Sequence, residues 1–245
     1  MRIVILSDIH SNLVALDAVL AGCGEHDAIW CLGDTIGYGP QPNECVERLS
    51  GHHVVALSGN HDLACIGRVD LAIFNPVASA ANRWNGQQLN AASRQWLDAL
   101  PSQRVVDERT TLAHGSPIDP VWEYLLTWSQ ARRSFAAFTG QLCLVGHSHL
   151  PLAFTRHPDG TIEQLSPISD GHVITLGDPQ QRYIINPGSV GQPRDRDPRA
   201  AYAIFDTGRN TISFARQAYD VAATQQQMRA AGLPEILAAR LSHGI

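Results

Sequence analysis

The sequence predicts an α/β protein in which two mixed β-sheets pack face to face, with helices on the outside. Two observations favour this fold class. Short apolar runs alternate with helical stretches through the first sixty residues, which is the rhythm of parallel strands joined by crossover helices. From residue 152 onward the pattern changes to short strands separated by turns. Because 245 residues suit one large domain, we expect a single domain over residues 1–245.

The N-terminal elements follow from short apolar runs and helix-start signals. Strands are predicted at Arg2–Leu6, Ala28–Leu32 and Val54–Leu57, where each run is too short to form a helix of ordinary length. Asn12 is a good N-cap for the helix that follows the first strand. A second helix is predicted over Pro40–Leu49, which has proline at its start. These elements together predict a βαβαβ unit with parallel strands.

A helical flap, defined here as residues 63–103, is predicted to follow the third strand and to pack on the sheet. Its apolar residues recur at helical spacing, as Ile73, Val77 and Trp84 do. After the flap, the chain returns to alternating elements. The next strand, helix and strand are predicted at Thr110–Ala113, Ser129–Phe138 and Leu142–Val145.

The C-terminal half reads as short strands, with Pro158-Asp159-Gly160 as a hairpin turn between two of them. One or two helices over Asp220–Ser242 are predicted to close the chain. The predicted strands are Phe154–Arg156, Thr161–Leu165, Val173–Leu176, Tyr183–Ile185, Ala201–Phe205 and Thr211–Phe214.

Composition excludes several classes of function. The net charge of −5 and the absence of a basic run argue against an extended nucleic-acid surface. No stretch approaches the ~20 apolar residues of a membrane helix, and we expect a cytoplasmic protein. Five cysteines without a Cys-x-x-Cys spacing are typical of buried thiols in a reducing compartment. All 18 basic residues are arginine, which excludes P-loop and Schiff-base chemistry.

Five short polar clusters each follow a predicted strand. In open α/β sheets the residues beyond the carboxyl ends of strands line the ligand crevice, so these clusters should meet. Carboxylate, imidazole and amide groups together suit divalent Mn, Fe, Co, Ni or Zn, and a carboxylate can bridge two such ions. A single Asp or His is usually structural, but seven unpaired polar residues would be costly to bury. The candidate ligands are Asp8, His10, Asp34, Asn60, His114, His147 and His149.

These clusters, in this order, resemble the calcineurin-like metallophosphoesterase superfamily. The segments Gly37–Pro40 and Asn186–Pro193 resemble its small bacterial YfcE-like branch. The resemblance implies a four-layer αββα sandwich and a pair of divalent transition-metal ions, with Mn2+ favoured over Fe, Ni, Co or Zn. It assigns one ion to Asp8, His10 and His149, and the other to Asn60, His114 and His147, with Asp34 as the bridge.

The activity implied is hydrolysis of phosphodiesters or phosphomonoesters by in-line attack of a metal-bound hydroxide. Asp34 and His61 are the predicted catalytic residues, with His61 as general acid toward the leaving oxygen. Asn60 and His61 are also expected to contact a small phosphoester or nucleotide substrate. Tyr38 could stack on a base, and Arg194 could reach an anionic substrate. The oligomeric state is left open.

One departure from the superfamily bears on specificity. Many of its protein phosphatases read Gly-Asp-x-x-Asp-Arg-Gly, whereas Gly37 and Tyr38 occupy the positions of the second Asp and the Arg here. A protein Ser/Thr phosphatase is therefore disfavoured, and the sequence raises the question of what orients His61. A dinucleoside polyphosphate hydrolase is an alternative. A non-catalytic scaffold on this fold is disfavoured because the whole ligand set is present.

Overall fold

The computed structural model describes residues 1–245 as two six-stranded β-sheets flanked by helices. The strands are β1 Arg2–Leu6, β2 Ala28–Cys31, β3 Val54–Ala56, β4 Gln103–Val105, β5 Thr110–Ala113, β6 Leu142–Leu144, β7 Leu152–Arg156, β8 Ile162–Leu165, β9 Val173–Thr175, β10 Arg182–Asn186, β11 Ala200–Asp206 and β12 Thr211–Gln217. The helices are α1 Leu13–Gly22, α2 Pro42–Ser50, α3 Asn60–Cys65, α4 Pro76–Gln88, α5 Ala91–Asp98, α6 Trp128–Ser134, α7 Val221–Ala230 and α8 Glu235–Ala239. Two 3-10 turns occupy Leu71–Ile73 and Arg240–His243.

The first sheet has the order β3-β2-β1-β11-β12-β9. Its N-terminal strands are parallel, as the βαβαβ pattern predicts, since β1 pairs with β2 and β2 with β3 in that orientation. On the other side of β1, β11 runs antiparallel. The parallel and the hairpin-rich parts of the chain thus share one mixed sheet.

The second sheet has the order β4-β5-β6-β10-β7-β8, and it is mixed as well. Strands β5, β6 and β10 are parallel, whereas β7 and β8 form the hairpin expected around Pro158-Asp159-Gly160. The edge strand β4 begins at Gln103, where the predicted flap ends, and this strand is not predicted from the sequence. The reason is physical, because β4 has only three residues, is largely exposed and shows no apolar alternation.

The central core lies between the two sheets, where Ile5, Trp30, Leu144 and Ile185 belong to one buried cluster. Helices α1 and α2 cover the outer face of the first sheet. Helix α6 covers the second sheet through Phe135. The result is the predicted order of helix, sheet, sheet and helix.

Helix α4 of the flap packs against the C-terminal helices. Ala78 and Ala81 share a buried cluster with Met228 of α7 and Leu237 of α8, and Tyr38 belongs to the same cluster. All five cysteines are buried and free, which confirms the interpretation of Cys residues as apolar core groups. No helix has both the length and the apolar character needed to cross a membrane.

Candidate metal centre

The structure brings all seven predicted ligands together, because the two sheets point the carboxyl ends of their parallel strands at the same place. Asp8, Asp34 and Asn60 follow β1, β2 and β3 of the first sheet. His114 follows β5, and the pair His147 and His149 follows β6, both in the second sheet. All of these side chains are buried, as are those of His10 and His61. The site is therefore built at the seam between the sheets.

Asp8, His10 and His149 form the first group of potential ligands, with their donor atoms within 4.8 Å of one another. Asp8 Oδ1 lies 3.3 Å from His149 Nε2 and 4.0 Å from His10 Nε2. The Nε2 atoms of the two histidines are 3.1 Å apart. These atoms converge on one point, as the ligands of a single ion do.

Asp34, His114 and His147 form the second group under the same distance limit. Asn60 adds its carbonyl, since Asn60 Oδ1 lies 3.2 Å from His114 Nε2. Asp34 Oδ2 lies 3.4 Å from His114 Nε2 and 3.8 Å from His10 Nε2. One carboxylate oxygen of Asp34 therefore faces both groups, which is the placement that a bridging ligand requires.

Three of the four histidines are oriented by backbone carbonyls. The Nδ1 atom of His10 donates to Ile36 O at 3.3 Å, that of His114 to Leu32 O at 2.9 Å, and that of His149 to Gln192 O at 2.6 Å. A carbonyl oxygen can only accept, so Nδ1 must carry the proton in each ring. The Nε2 atoms are thereby directed into the site, as in most histidines that bind metals.

Several inward-facing atoms have no hydrogen-bond partner although they are buried. These are Asp8 Oδ1, Asp34 Oδ2 and His147 Nε2, and each belongs to a predicted ligand. Buried polar groups without partners are costly and rare. Divalent cations would satisfy all three atoms at once, and mixed carboxylate, amide and imidazole donors suit borderline transition metals. The residues therefore fit the pair of ions that the resemblance implies.

Backbone strain is concentrated at the same residues. Asp8, His10, Asp34, His147 and His149 have φ angles of 54°, 51°, 52°, 64° and 62°. Non-glycine residues rarely adopt this left-handed region, at a cost of roughly 1–2 kcal/mol each. Such strain clusters at functional sites, where surrounding structure enforces it. The strained loops turn the side chains inward immediately after each strand.

Burial and mutual charge shift the pKa values within the site. Burial raises the pKa of Asp8 to about 7. Burial alone would lower the pKa of His114, but the Asp34 and Asp8 carboxylates raise it to about 9. Burial also lowers the pKa of His147 to about 3, so this ring is neutral at pH 7. In the metal-free chain the His114 ring therefore holds a second proton near neutral pH, which a cation bound at its Nε2 would replace.

The segment Asn186–Pro193 supports this site from outside. Ser189 Oγ donates to Asp8 O at 2.8 Å, and Gly191 N donates to the same carbonyl at 3.0 Å. Gln192 O receives the Nδ1 proton of His149. The segment holds the Asp8 loop and the His149 ring in place.

His61 lies beside the predicted ligands, and its ring is hydrogen-bonded to a residue of a different element, helix α4. Its ring centroid is 4.9 Å from that of His10, and His61 Nδ1 lies 2.7 Å from Asn82 Oδ1 on α4. Asp62 does not contact the ring. Its Oδ2 accepts from Gly59 N at 2.9 Å and its Oδ1 from Ile36 N at 2.9 Å, so Asp62 caps α3 and fixes the loop after β2.

Tyr38 and Arg194, the two other predicted substrate contacts, differ in their surroundings. Tyr38 is only 7% exposed, because its ring packs 4.7 Å from His10 and 4.3 Å from His61, centroid to centroid. Arg194 is half-buried near the site, where its charge lowers the pKa values of several ligands. No carboxylate pairs with its guanidinium: Nη2 donates to Gln192 Oε1 at 3.0 Å, and the buried Nε has no hydrogen-bond partner. The positive charge of Arg194 is therefore not neutralised by a carboxylate.

Sequence reasoning missed Asn82, and the structure also places an aromatic rim, formed by Trp122 and Tyr124, beside the site. Tyr124 stacks on His147 with centroids 4.0 Å apart, and Trp122 lies 5.6 Å from Phe74, which in turn lies 5.1 Å from His61. Tyr124 is 44% exposed and Trp122 is 38% exposed, so both present surface at the site. For Asn82, a usable signal is its place on the buried face of a helix, where asparagine is unfavourable without a role.

Comparison with known proteins supports the same interpretation. The family model described as the calcineurin-like phosphoesterase superfamily domain matches residues 1–210. A crystal structure of a metallophosphoesterase from Sphaerobacter thermophilus is 48% identical, covers 100% of this chain and 99% of its own, and superposes with a TM-score of 0.90. An uncharacterized protein from Methanocaldococcus jannaschii is 36% identical over 99% of this chain and 98% of its own length.

The YfcE phosphoesterase from E. coli is also among the similar structures. It is 21% identical over 84% of this chain and 89% of its own, with a TM-score of 0.44.

Proposed function

The chain belongs to the calcineurin-like phosphoesterase superfamily, and we propose from this premise that it is a two-metal hydrolase of small phosphodiesters or phosphomonoesters. The observation that carries the proposal is the arrangement of two ligand groups around Asp34. Its Oδ2 faces both groups and has no hydrogen-bond partner of its own. Such a pair of adjacent cation sites suits in-line displacement at phosphorus.

In this proposal the ligands divide as the resemblance implies. One divalent ion would be held by Asp8, His10 and His149, the other by Asn60, His114 and His147, and Asp34 would be shared by both. When bound, the ions supply the nucleophile for in-line attack and neutralise charge on the phosphate oxygens. Mn2+ is our favoured metal, and Fe, Ni, Co and Zn also suit these donors.

His61 and Arg194 supply the remaining chemistry. His61 protonates the leaving oxygen, which suits a ring whose Nδ1 is already bonded to Asn82 and whose Nε2 is left for substrate. Asn60 contacts the phosphate as well as the metal. Arg194 binds a phosphate oxygen, because no carboxylate neutralises its guanidinium, its Nε has no hydrogen-bond partner, and arginine matches phosphate geometry. In this role Arg194 takes the place of the arginine that many protein phosphatases of the superfamily have at the position of Tyr38.

The exposed aromatic rim favours substrates that carry a planar group. Tyr124 stacks on the predicted ligand His147, Trp122 contacts His61 indirectly through Phe74, and both offer ring surface to solvent. Nucleobases stack on such side chains, so nucleotides are the substrates best matched to this rim. A dinucleoside polyphosphate hydrolase is therefore our second candidate.

A substrate screen on metal-stripped protein tests the proposal. Mn2+, Ni2+, Co2+ and Zn2+ are added back in parallel, with bis-nitrophenyl phosphate, nitrophenyl phosphate, cyclic nucleotides and dinucleoside polyphosphates as substrates. We expect hydrolysis that requires metal and is lost in Asp34→Asn. If the protein binds metal but hydrolyses none of these esters, the result would instead favour a non-catalytic scaffold on this fold.

A further inference from the structure

We infer that Asn82, on helix α4 of the flap, is the positioning residue for His61. In this inference its amide oxygen fixes the imidazole so that Nε2 is the nitrogen presented to the phosphoester. The inference rests on the proposed function, because it assumes that His61 acts on a substrate. It goes further in placing part of the catalytic machinery on the flap, outside the loops that carry the ligands.

The contact between the two side chains is short and buried from solvent. His61 Nδ1 lies 2.7 Å from Asn82 Oδ1, and the two residues are 5% and 0% exposed. Cys65 Sγ, a weak donor, lies 3.9 Å from the same oxygen, which agrees with an acceptor at this position. Because that oxygen accepts only, Nδ1 keeps its proton whether the ring is neutral or charged. Nε2 is then the nitrogen that gains and loses the transferable proton.

Gly37 leaves the space in which this pair meets. A Cβ atom at Gly37 would lie 2.9 Å from His61 Cβ, 3.0 Å from His61 Nδ1 and 3.1 Å from Asn82 Oδ1. Any side chain there would push against both partners. The loop after β2 therefore carries no side chain at the point where α4 delivers its amide.

Asn85, one turn further along α4, fixes the position of the helix. Its Oδ1 accepts from Gly37 N at 3.2 Å and from Ser11 Oγ at 2.6 Å, while its Nδ2 donates to Gly39 O at 3.1 Å. These bonds tie α4 to the loops after β1 and β2, which also carry His10 and Asp34. Asn82 is thus held at a defined distance from the ligands.

Stability alone does not account for Asn82. Its Nδ2 is buried and has no hydrogen-bond partner, which is unfavourable for folding. An apolar side chain of the same size would avoid that cost but would leave the buried Nδ1 proton of His61 without its acceptor. A purely structural role therefore predicts only a fall in Tm when the amide is removed, whereas a positioning role also predicts a fall in kcat and a change in the His61 tautomer.

The test compares Asn82→Leu and the smaller Asn82→Ala with Asn82→Asp, which keeps an acceptor oxygen. Arg83→Gln, at an exposed position on the same helix, is the control. We expect kcat on an alkyl diester to fall by about 10- to 100-fold in the first two variants, with KM and metal content close to wild type. Asn82→Asp and Arg83→Gln should retain most of the kcat.

Combination with His61→Ala separates failure of this inference from failure of the proposed function. If Asn82 acts through His61, Asn82→Leu should add no further loss to His61→Ala. A loss in the double variant that equals the product of the two single losses would overturn the inference. If His61→Ala leaves hydrolysis unchanged, the acid role fails and the inference fails with it.

A measurement without turnover completes the test. In protein with 15N-labelled histidine, the His61 ring should show a protonated Nδ1 in the wild type and in Asn82→Asp. That signature should weaken or disappear in Asn82→Leu. An unchanged His61 ring in Asn82→Leu would show that the amide does not set its tautomer, and would overturn the inference.

Discussion

The Nε2 atoms of His10 and His149 lie 3.1 Å apart with no proton between them. Each ring donates from Nδ1 to a backbone carbonyl, and burial lowers both pKa values well below the ordinary range. Two lone pairs therefore face each other inside the protein. A cation shared by both nitrogens turns this repulsion into ligation, so metal binding and fold stability should be coupled.

We predict that two metal ions bind per chain and that they raise Tm. Elemental analysis of protein reloaded with Mn2+ should approach two equivalents, because the ligands form two groups. At a free metal concentration of 100 times Kd, each site should add about 2.7 kcal/mol to the free energy of unfolding. His172→Ala, which removes an exposed histidine, should change neither value. A plateau at one equivalent would contradict the shared role of Asp34.

Asp34→Asn should damage metal binding more than Asp8→Asn. Each carboxylate has one anchored oxygen, since Asp34 Oδ1 accepts from His61 N and Asp8 Oδ2 accepts from Ser7 Oγ and His147 N. The free oxygen of Asp34 faces both ligand groups, whereas that of Asp8 faces one. Mn2+ titration of the two variants should show weaker binding at both sites in the first and at one site in the second. Equal losses would count against the bridge.

His61→Ala should reduce kcat while leaving metal content near that of the wild type. General acid catalysis contributes about 10²–10⁴-fold, so the loss on an alkyl diester should fall in that range. Nitrophenolate needs protonation less than an alkoxide, so the loss should be smaller on an aryl diester. Rates are to be compared at matched metal occupancy. An identical loss on both esters would indicate that His61 binds the phosphate and does not protonate the leaving group.

Trp122→Ala and Tyr124→Ala should raise KM for nucleotide substrates more than for small alkyl diesters. Stacking of a base on an aromatic side chain contributes about 1–3 kcal/mol, which corresponds to a KM increase of about 5-fold or more. Trp128→Ala is the matched control, because Trp128 is an exposed tryptophan that packs with Arg132 on α6. The rim would have no role in specificity if KM rose equally for both substrate classes.

Gly37→Ala should lower kcat more than Gly67→Ala. Both positions have φ angles in the left-handed region, +99° and +82°, so both variants carry similar backbone strain. Only at Gly37 would the new Cβ press on His61 and Asn82, since nothing lies within 4 Å of a Cβ at Gly67. Steady-state kinetics and thermal unfolding of both variants would decide. Equal kcat values would show that the space beside Gly37 does not control the His61 ring.

The candidate ligands could be located from sequence because each one lies in the loop, turn or helix start that follows a strand. The local sequence, a buried apolar run followed by Asp8 or Asp34, indicates both where the strand ends and which polar group follows it. Parallel pairing then brings those ends together, as the structure shows for β1 and β2. The four-layer fold was predictable for the same reason, since it depends on the order of elements along the chain.

Asn82 and β4 were not predictable in this way. The contact between Asn82 and His61 depends on how α4 docks against two loops, and local periodicity says only that one face of α4 is buried. Strand β4 gains its identity from pairing with β5, not from its own three residues. Both features arise from long-range packing, which leaves no repeating pattern in the sequence.

The dependence of Asp8 and His149 on the Asn186–Pro193 segment sets an order of events during synthesis. All seven ligands have left the ribosome once His149 has, yet the carbonyl that orients His149 and the donors that hold the Asp8 loop come about forty residues later. Strand β1 must also wait for β11 before its second edge is covered. A nascent chain of 150 residues therefore carries every ligand without the geometry to use them. Metal binding at these candidate ligands would therefore require the finished polypeptide, after its last strands have closed the first sheet.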